Sequence, residues 1–566
     1  MKKHIRLITL AVAGVAFASC IGDLNTTPLN ETDIVKETVY GAGEQEYVQG
    51  LSKIYFQFVS NDTKNLEVAD GGASELIRAF WSAQETTTDE AKCAWKDDAW
   101  VRALNTDTWS EAQNDATYAV YVRTLQGITF VNEYLRQTEP ALLASRGVSD
   151  DLAKKIEGYR AEARFLRAYF YWMAMDTFGD VPFTTEKDAL GMDFRPKQKP
   201  RKEVFEYVVS ELKALLESDS AMPAVRSNYP RADKGAVAGL LARLYVNAEV
   251  YTAPVDLTDQ TPGTPMWREA KAICEDIFKM GYDLCGEYAH LFRGDNGQNP
   301  DARKELLFAA AYDAENTRSY GGTSYLLFAS LASDEVTSKS MPTGVNSGWA
   351  GLRVPYEFIQ KFFRPLTTPN YTKGTYTTGD KRADGLFYIK GRKESMNNNN
   401  LYTFNHGWTC WKFNNIPHDK TEEEFLSEAK TKSYSDIDFP LIRLGEIYLI
   451  YAEACYHNDG TAAAALPYLA KLSERAGVTA PTAAAVTPDW LMKERARELY
   501  WEGHRRTDLI RYGLFHSKDY IWPYKGSDAF TGRAFDKYMN VFAIPPTELS
   551  ANSELYQNYG YPLPKK

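Results

Sequence analysis

Glu494, Glu498 and Glu502 recur at four-residue steps in ERARELYWEGHRRTDLIRYG (494–513), a spacing that puts three carboxylates on one helix face. Paired carboxylates are what a glycoside hydrolase uses as acid and base. A general acid, however, needs its proton held above the ordinary carboxylate range. Here Arg495, Arg497, Arg505, Arg506 and Arg511 are interleaved and Asp508 follows. Arginine beside a carboxylate keeps it ionised. The stripe therefore reads as an ion-pair lattice that pins helices, with a hydrolase using Glu494, Glu498 and Glu502 as the competing reading. Ser210-Glu-Leu-Lys213 matches SxxK but lies mid-helix without partner motifs. Seven histidines form no HExxH, and no Gly-rich phosphate loop follows a strand. The chain is expected not to be an enzyme and to need no catalytic cofactor.

Two other groups of residues suit binding. Asp436 and Asp438, just before a helical pattern at 441, have the chemistry of hard-cation ligands, with Asp295 or Asn299 as partners. The alternative is that Asp438 caps the helix and Asp436 is solvated. Residues 81–109 hold four tryptophans among Thr, Asp and Glu with neither helical nor alternating order. An aromatic-rich loop is unusual, because exposed rings need a reason. The chain carries 36 tyrosines and 12 tryptophans, more than a core requires. Rings with a polar edge suit surfaces that bind amphipathic ligands.

The scaffold for these residues is helical. Ile156, Tyr159, Ala163, Leu166, Phe170 and Met173 recur at three- and four-residue steps through EGYRAEARFLRAYFYWMAMDTFGDVPF (157–183). Phe165, Tyr169, Tyr171 and Trp172 make the other faces apolar too, so this helix should be buried nearly all round. Gly179 is expected to end it in a left-handed turn, with Pro182 unable to continue it. Further helices read at 46–58, 118–137, 201–217, 231–248, 267–280, 441–456 and 461–476, and 61–73 reads as a loop. The pairs look like tetratricopeptide hairpins, although no clean 34-residue period is present. Residues 282–435 are mostly irregular, with Gly, Asn and Pro clusters and the run Asn397 to Asn400. An insert of that length inside a domain is usually functional.

Length, 566 residues, and 44% apolar composition allow a large core. Net charge is −10, and setting aside Lys2, Lys3 and Arg6 leaves 62 basic against 75 acidic residues. An acidic, unpatterned surface argues against nucleic acid or an anionic membrane as partner and suits a neutral ligand. The chain opens with a basic start, an apolar run from Leu7 to Phe17 and Ala18-Ser19-Cys20. That is the form of a signal peptide, too short to span a bilayer. Small residues before a cysteine point to lipidation of Cys20, with a secreted protein lacking lipid as the alternative; the chain would be anchored by lipid alone. The five remaining cysteines include no CxxC, so neither a disulfide framework nor a zinc ligand set is expected.

Five stretches also resemble, in order, those of the SusD/RagB family, the surface glycan-binding lipoproteins of Bacteroidetes. They are AEARFLRAYFYW…FGDVPF, RADKGAVAGLLARLYVNA (231–248), IRLGEIYLIYAEA (442–454) with its following SERAGV, ERARELYWEGHRRTDLIRYG, and the ending IPPTELSANSELYQNYGY. The resemblance implies a mainly α fold: a degenerate tetratricopeptide-like scaffold of helical hairpins with a loop-rich subdomain carrying minor β structure. It divides the chain into a signal peptide (1–19), a lipidated tether (20–45), an N-terminal helical region with the aromatic loop (46–250), a loop-rich ligand-binding subdomain (251–435) and a C-terminal helical region (436–566). It implies capture of a polysaccharide at the cell surface and delivery to a SusC-like TonB-dependent outer-membrane transporter. TTDEAKCAW (87–95) looks like the family's starch-binding members. Matched to them, Trp95, Tyr320 and Trp349 form an aromatic arc for α-glucan, and Asp70, Arg78 and Asp98 its hydrogen-bonding set. Cys93 stands where those members carry a second tryptophan, Asp98 where they carry asparagine. The same members imply calcium at Asp436 and Asp438, with Gly297 standing at one of the partner positions. Rings that merely anchor loops, and a transporter subunit with no ligand of its own, are the competing readings.

Overall fold

The computed structural model describes residues 40–562 apart from 65, 67, 69, 113, 189–190, 192, 333–342, 365, 367–376, 390, 398–399 and 428–432. The signal-like segment, Cys20, most of the tether and part of the asparagine run lie outside the described residues.

The main helices are α1 (Glu44–Val59), α2 (Leu76–Trp81), α3 (Asp115–Gln137), α4 (Asp150–Phe178), α5 (Arg201–Leu216), α6 (Lys234–Val246), α7 (Trp267–Phe278), α8 (Gly322–Ser330), α9 (Leu444–Asp459), α10 (Leu466–Ala476), α11 (Pro488–Leu499) and α12 (Arg505–Arg511). Helix α4 is the one the others gather around. Ser149 caps it by accepting from the Leu152 N–H, and Asp150 and Asp151 meet the positive end of its dipole. From Ala161 to Phe178 every residue but Arg164 is buried, as its all-round apolar composition predicts. Helices α1, α3 and α5 pack on it, and α6, α7, α9 and α11 extend the layer pair by pair. Gly179 ends α4 at φ +76° with ψ −107°, a positive-φ turn but not the left-handed helical one expected. Val181–Pro182 then pairs with Gln198–Lys199.

Two expectations are corrected here. The four tryptophans of 81–109 do not share an open loop: Trp81, Trp100 and Trp109 are core residues, and only Trp95 is half-exposed. Trp81 closes α2 and Trp100 lies in a short helix, Ala99–Asn105, too brief to show a period. The helix expected from 441 begins at Leu444, because Phe439–Arg443 is a strand, antiparallel to Leu306–Ala310. FPLIRLGEIYLI is one apolar run, and only a partner some 130 residues away divides it into strand and helix. A second pair, Lys92–Cys93 with Leu352–Arg353, ties the segment after α2 to the one after α8. From the irregular 282–435 region, Leu306, Phe328, Phe358 and Trp408 join the same continuous apolar core as α4. No helix among the described residues is long and apolar enough to cross a membrane.

Candidate functional site

The glutamate stripe is a buried lattice. Glu494 and Glu498 lie on α11, while Glu502 lies beyond its end, after Trp501 turns the chain at φ +63°. Arg382 binds Glu494 at 2.7 Å and Glu498 at 3.1 Å; Arg443 binds Glu498 and Glu502, each at 2.7 Å; Arg475 adds a further pair to Glu498, and Lys412 binds Glu502 at 2.8 Å. Of the interleaved arginines, Arg497 alone pairs with the stripe, through Glu494. Arg495 turns to Asp508, Arg505 to Asp89 and Arg511 to Glu453, and Arg506 donates to the Asn540 carbonyl. The lattice is thus as expected in kind but drawn from other segments: the loops of Arg382 and Lys412, the strand of Arg443 and helix α10 of Arg475. Burial opposes ionisation of all three glutamates, yet the surrounding guanidiniums outweigh it and hold each below the usual carboxylate range. A proton donor for glycoside hydrolysis needs the opposite shift.

Asp438 is not a helix cap. It precedes the strand, and its carboxylate accepts from the Tyr229 hydroxyl at 2.6 Å and the Tyr312 N–H at 2.9 Å. Burial pushes it up to about 6, although both donors favour its ionised form. A Cβ at Gly297 would strike its Oδ2, so that flank is backbone packed against the carboxylate. Asp436 accepts from the Ala314 N–H and the Asn415 amide. Asp295 turns to His418, and Asn299 caps a short turn at Pro300. Hydrogen-bond donors occupy both carboxylates, a poor fit to a calcium cage that needs six or more free oxygens.

The six residues of the expected arc do come together. Asp70 begins the turn before α2, accepting from the Gly72 N–H at 2.7 Å, and pairs with Arg78 at 2.6 Å. Arg78, on α2, lies 1% exposed under the face, over the Tyr325 ring at 4.2 Å, with the Tyr320 carbonyl 3.4 Å away. It is therefore a positioning residue beneath the surface rather than an open donor. Trp95 and Asp98 follow the Lys92–Cys93 strand, which Asn105 clamps at both Cys93 N–H and carbonyl. Cys93 itself is buried and contributes nothing to the face. Ala94 N–H donates to the Gly351 carbonyl at 2.8 Å, setting the Trp95 indole 3.4 Å from the Trp349 carbonyl. A side chain at Gly351 would enter the Trp95 ring. Asp98 titrates above the ordinary range, first from burial and then from the Asp70 charge.

Tyr320 is 45% exposed and meets Trp349 edge-on, centroids 5.6 Å apart at 71°. Trp349 is backed by the buried Phe328 ring of α8, stacked at 5.1 Å. On the other side Tyr434 lies 4.9 Å from Tyr320 at 38°. Tyr434 extends the row and no sequence pattern singles it out, since it reaches the site only through folding. Glu75 is the other hidden member. Capping α2 through the Arg78 N–H, it also accepts from the Gly322 N–H and the Tyr312 hydroxyl, fastening the loop that carries Tyr320 to the helix that carries Arg78. Burial lifts it to about 7. The ring planes change from Tyr434 through Tyr320 to Trp349, by 38° and then 71°.

The helical scaffold thus carries a surface of rings, while its glutamate stripe is locked in ion pairs. Residues 304–561 match the family model described as SusD family, and 66–246 the one described as starch-binding associating with outer membrane. The starch-binding protein SusD of Bacteroides thetaiotaomicron is 31% identical over 595 aligned positions, covering 99% of each chain. A SusD superfamily crystal structure from Bacteroides vulgatus superposes with a TM-score of 0.66 at 18% identity, covering 92% of this chain and 100% of that one. A surface glycan-binding protein of Bacteroides thetaiotaomicron in complex with laminarihexaose gives 0.66 at 16%, covering 91% and 99%. These two show the fold alone. The chain belongs to the SusD family, whose members are carbohydrate-binding proteins rather than enzymes.

Proposed function

We propose that this protein captures α-glucan, starch-like or dextran-like, on the curved row of rings and passes it to a SusC-like TonB-dependent transporter. The observation that carries the reading is the row itself: Trp95, Trp349, Tyr320 and Tyr434 offered at changing angles beside Asp70 and Asp98. Pyranose rings have apolar C–H faces and hydroxyl rims, so indole and phenol rings cover the faces while carboxylates accept from the rims. A curved row selects a helical glucan over a flat, cellulose-like chain. The starch-binding relative that matches the whole length supports the same class of ligand. Contacts this shallow give affinities on the order of 0.01–1 mM each, raised by avidity along a polymer.

The absence of a ring at buried Cys93, and Asp98 in place of asparagine, favour a second reading in which another polysaccharide takes the same surface. Native affinity electrophoresis against starch, dextran, pullulan and inulin separates the two. Retardation by starch, pullulan or dextran supports the first; retardation by inulin alone supports the second. No retardation by any glycan, with the transporter complex intact, would leave a subunit without a ligand. Lipid on Cys20 is the proposed anchor, on the strength of the small residues before it. Cys20→Ala should move the protein from the membrane to the soluble fraction; retention in the membrane would place the anchor elsewhere.

A further inference from the structure

Apart from the ring face, Cys285, His290 and Asp301 bring a sulfur, an imidazole nitrogen and a carboxylate oxygen within 4.8 Å of one another. Cys285 and Asp301 are held from behind. The Cys285 N–H donates at 2.8 Å to Glu305, itself paired with Arg443 and Arg475, so the thiol hangs from the rigid ion-pair lattice. Its Sγ lies 3.2 Å from Asp301 Oδ2, which the Gly286 N–H fixes at 2.8 Å, while Lys304 takes the other oxygen at 2.7 Å. One carboxylate oxygen is thus turned to the sulfur. The half-buried His290 ring stands edge-on to His418, centroids 5.0 Å apart. His418 in turn has its Nδ1 2.5 Å from Asp295.

We propose that Cys285, His290 and Asp301 form a transition-metal site, suited to zinc(II), with its fourth position open to solvent beside His418. Zinc takes sulfur at about 2.3 Å and nitrogen or oxygen at about 2.0–2.2 Å, so ligand atoms around one ion lie roughly 3.2–3.8 Å apart. The cluster needs only a small inward movement to reach that geometry. A mixed sulfur, nitrogen and oxygen set excludes calcium and magnesium, which want oxygen alone. On binding, the Cys285 thiol gives its proton to solvent and the Sγ–metal bond replaces its hydrogen bonding to Asp301 and to the Glu287 carbonyl, each at 3.2 Å; no electron is transferred. The C-x4-H spacing with the aspartate eleven residues further on matches no common zinc pattern, so the sequence alone does not reveal it.

The test is titration of the reduced, chelator-stripped full chain with Co²⁺ and, separately, Zn²⁺. Cobalt should produce a thiolate-to-metal charge-transfer band saturating at one equivalent and bleached by zinc, and zinc should raise the melting temperature. Cys285→Ser should abolish the band, and His290→Ala or Asp301→Asn should weaken binding by about tenfold or more. Cys274→Ser and Cys455→Ser are the controls, and they should leave the band intact. Metal-free melting curves of every variant establish that it folds. A wild-type protein that shows no thiolate band, or a band that survives Cys285→Ser, would overturn the site. Should Cys285→Ser fail to fold, an undiminished band in folded Asp301→Asn would do the same.

Discussion

Glu498 is bound by Arg443, Arg475 and Arg382, and each of those arginines also holds another carboxylate: Glu305, Glu502, Asp380 or Glu494. A charge shared so widely in the interior is costly to remove from one side, because its partners are left uncompensated. Glu498→Gln should therefore destabilise the protein by about 3 kcal/mol or more, read as a lowered denaturation midpoint. It should abolish no activity on glycans; a well-folded variant that lost a measurable hydrolytic rate would speak for an enzyme. That these glutamates are structural is legible from the arginines around them. Which arginines bind them is not, since Arg382, Arg443 and Arg475 arrive from segments 23 to 116 residues away in sequence. Asp70, Arg78, Trp95, Asp98, Tyr320 and Trp349 are legible only through the family resemblance. Their burial is not: Arg78 turns out to lie beneath the surface it was expected to line.

At the scale of elements, the ring face depends on one small strand pair. Lys92–Cys93 against Leu352–Arg353 brings Trp95 and Trp349 together from positions 254 residues apart. Gly351 lets the indole lie on the backbone, because a Cβ there would enter the ring. Gly351→Ala should displace Trp95 and weaken glucan binding by about tenfold, worth ~1.4 kcal/mol. Isothermal titration with a maltooligosaccharide reads that loss; an unchanged affinity would show that Trp95 carries little of the contact. The long apolar helix α4 is legible from its own residues, since every face of it demands cover. Two-residue strands have no period to detect, and the strand at 439–443 is hidden in a run that local preference reads as helix. Tyr434 and Glu75 escape for the same reason: their importance exists only after distant segments meet.

For the whole molecule, many buried carboxylates are tied to guanidiniums, and this sets its response to acid. Glu446 is the clearest: burial would raise it, but Arg243 at 2.6 Å prevails and holds it at about 2, below the ordinary 4.5. A group titrating lower in the folded than in the unfolded state contributes fully above its unfolded value and loses that contribution as pH falls towards its folded one. Glu446→Gln should therefore flatten the loss of stability between about pH 4.5 and pH 2. Urea midpoints across that range read it, and a slope as steep as wild type would show that other carboxylates carry the acid response.

The central claim is that the half-exposed rings bind sugar rather than anchor loops, and Trp95→Ala and Trp349→Ala test it most directly. A ring laid on sugar covers roughly 100 Å², which at about 25 cal/mol per Å² is ~2.5 kcal/mol. Each truncation should then cost well over tenfold in affinity for starch on a native gel while leaving the melting temperature nearly unchanged. Unaltered retardation by starch together with a drop of several degrees in melting temperature would contradict the account, because it is what loop anchors would give.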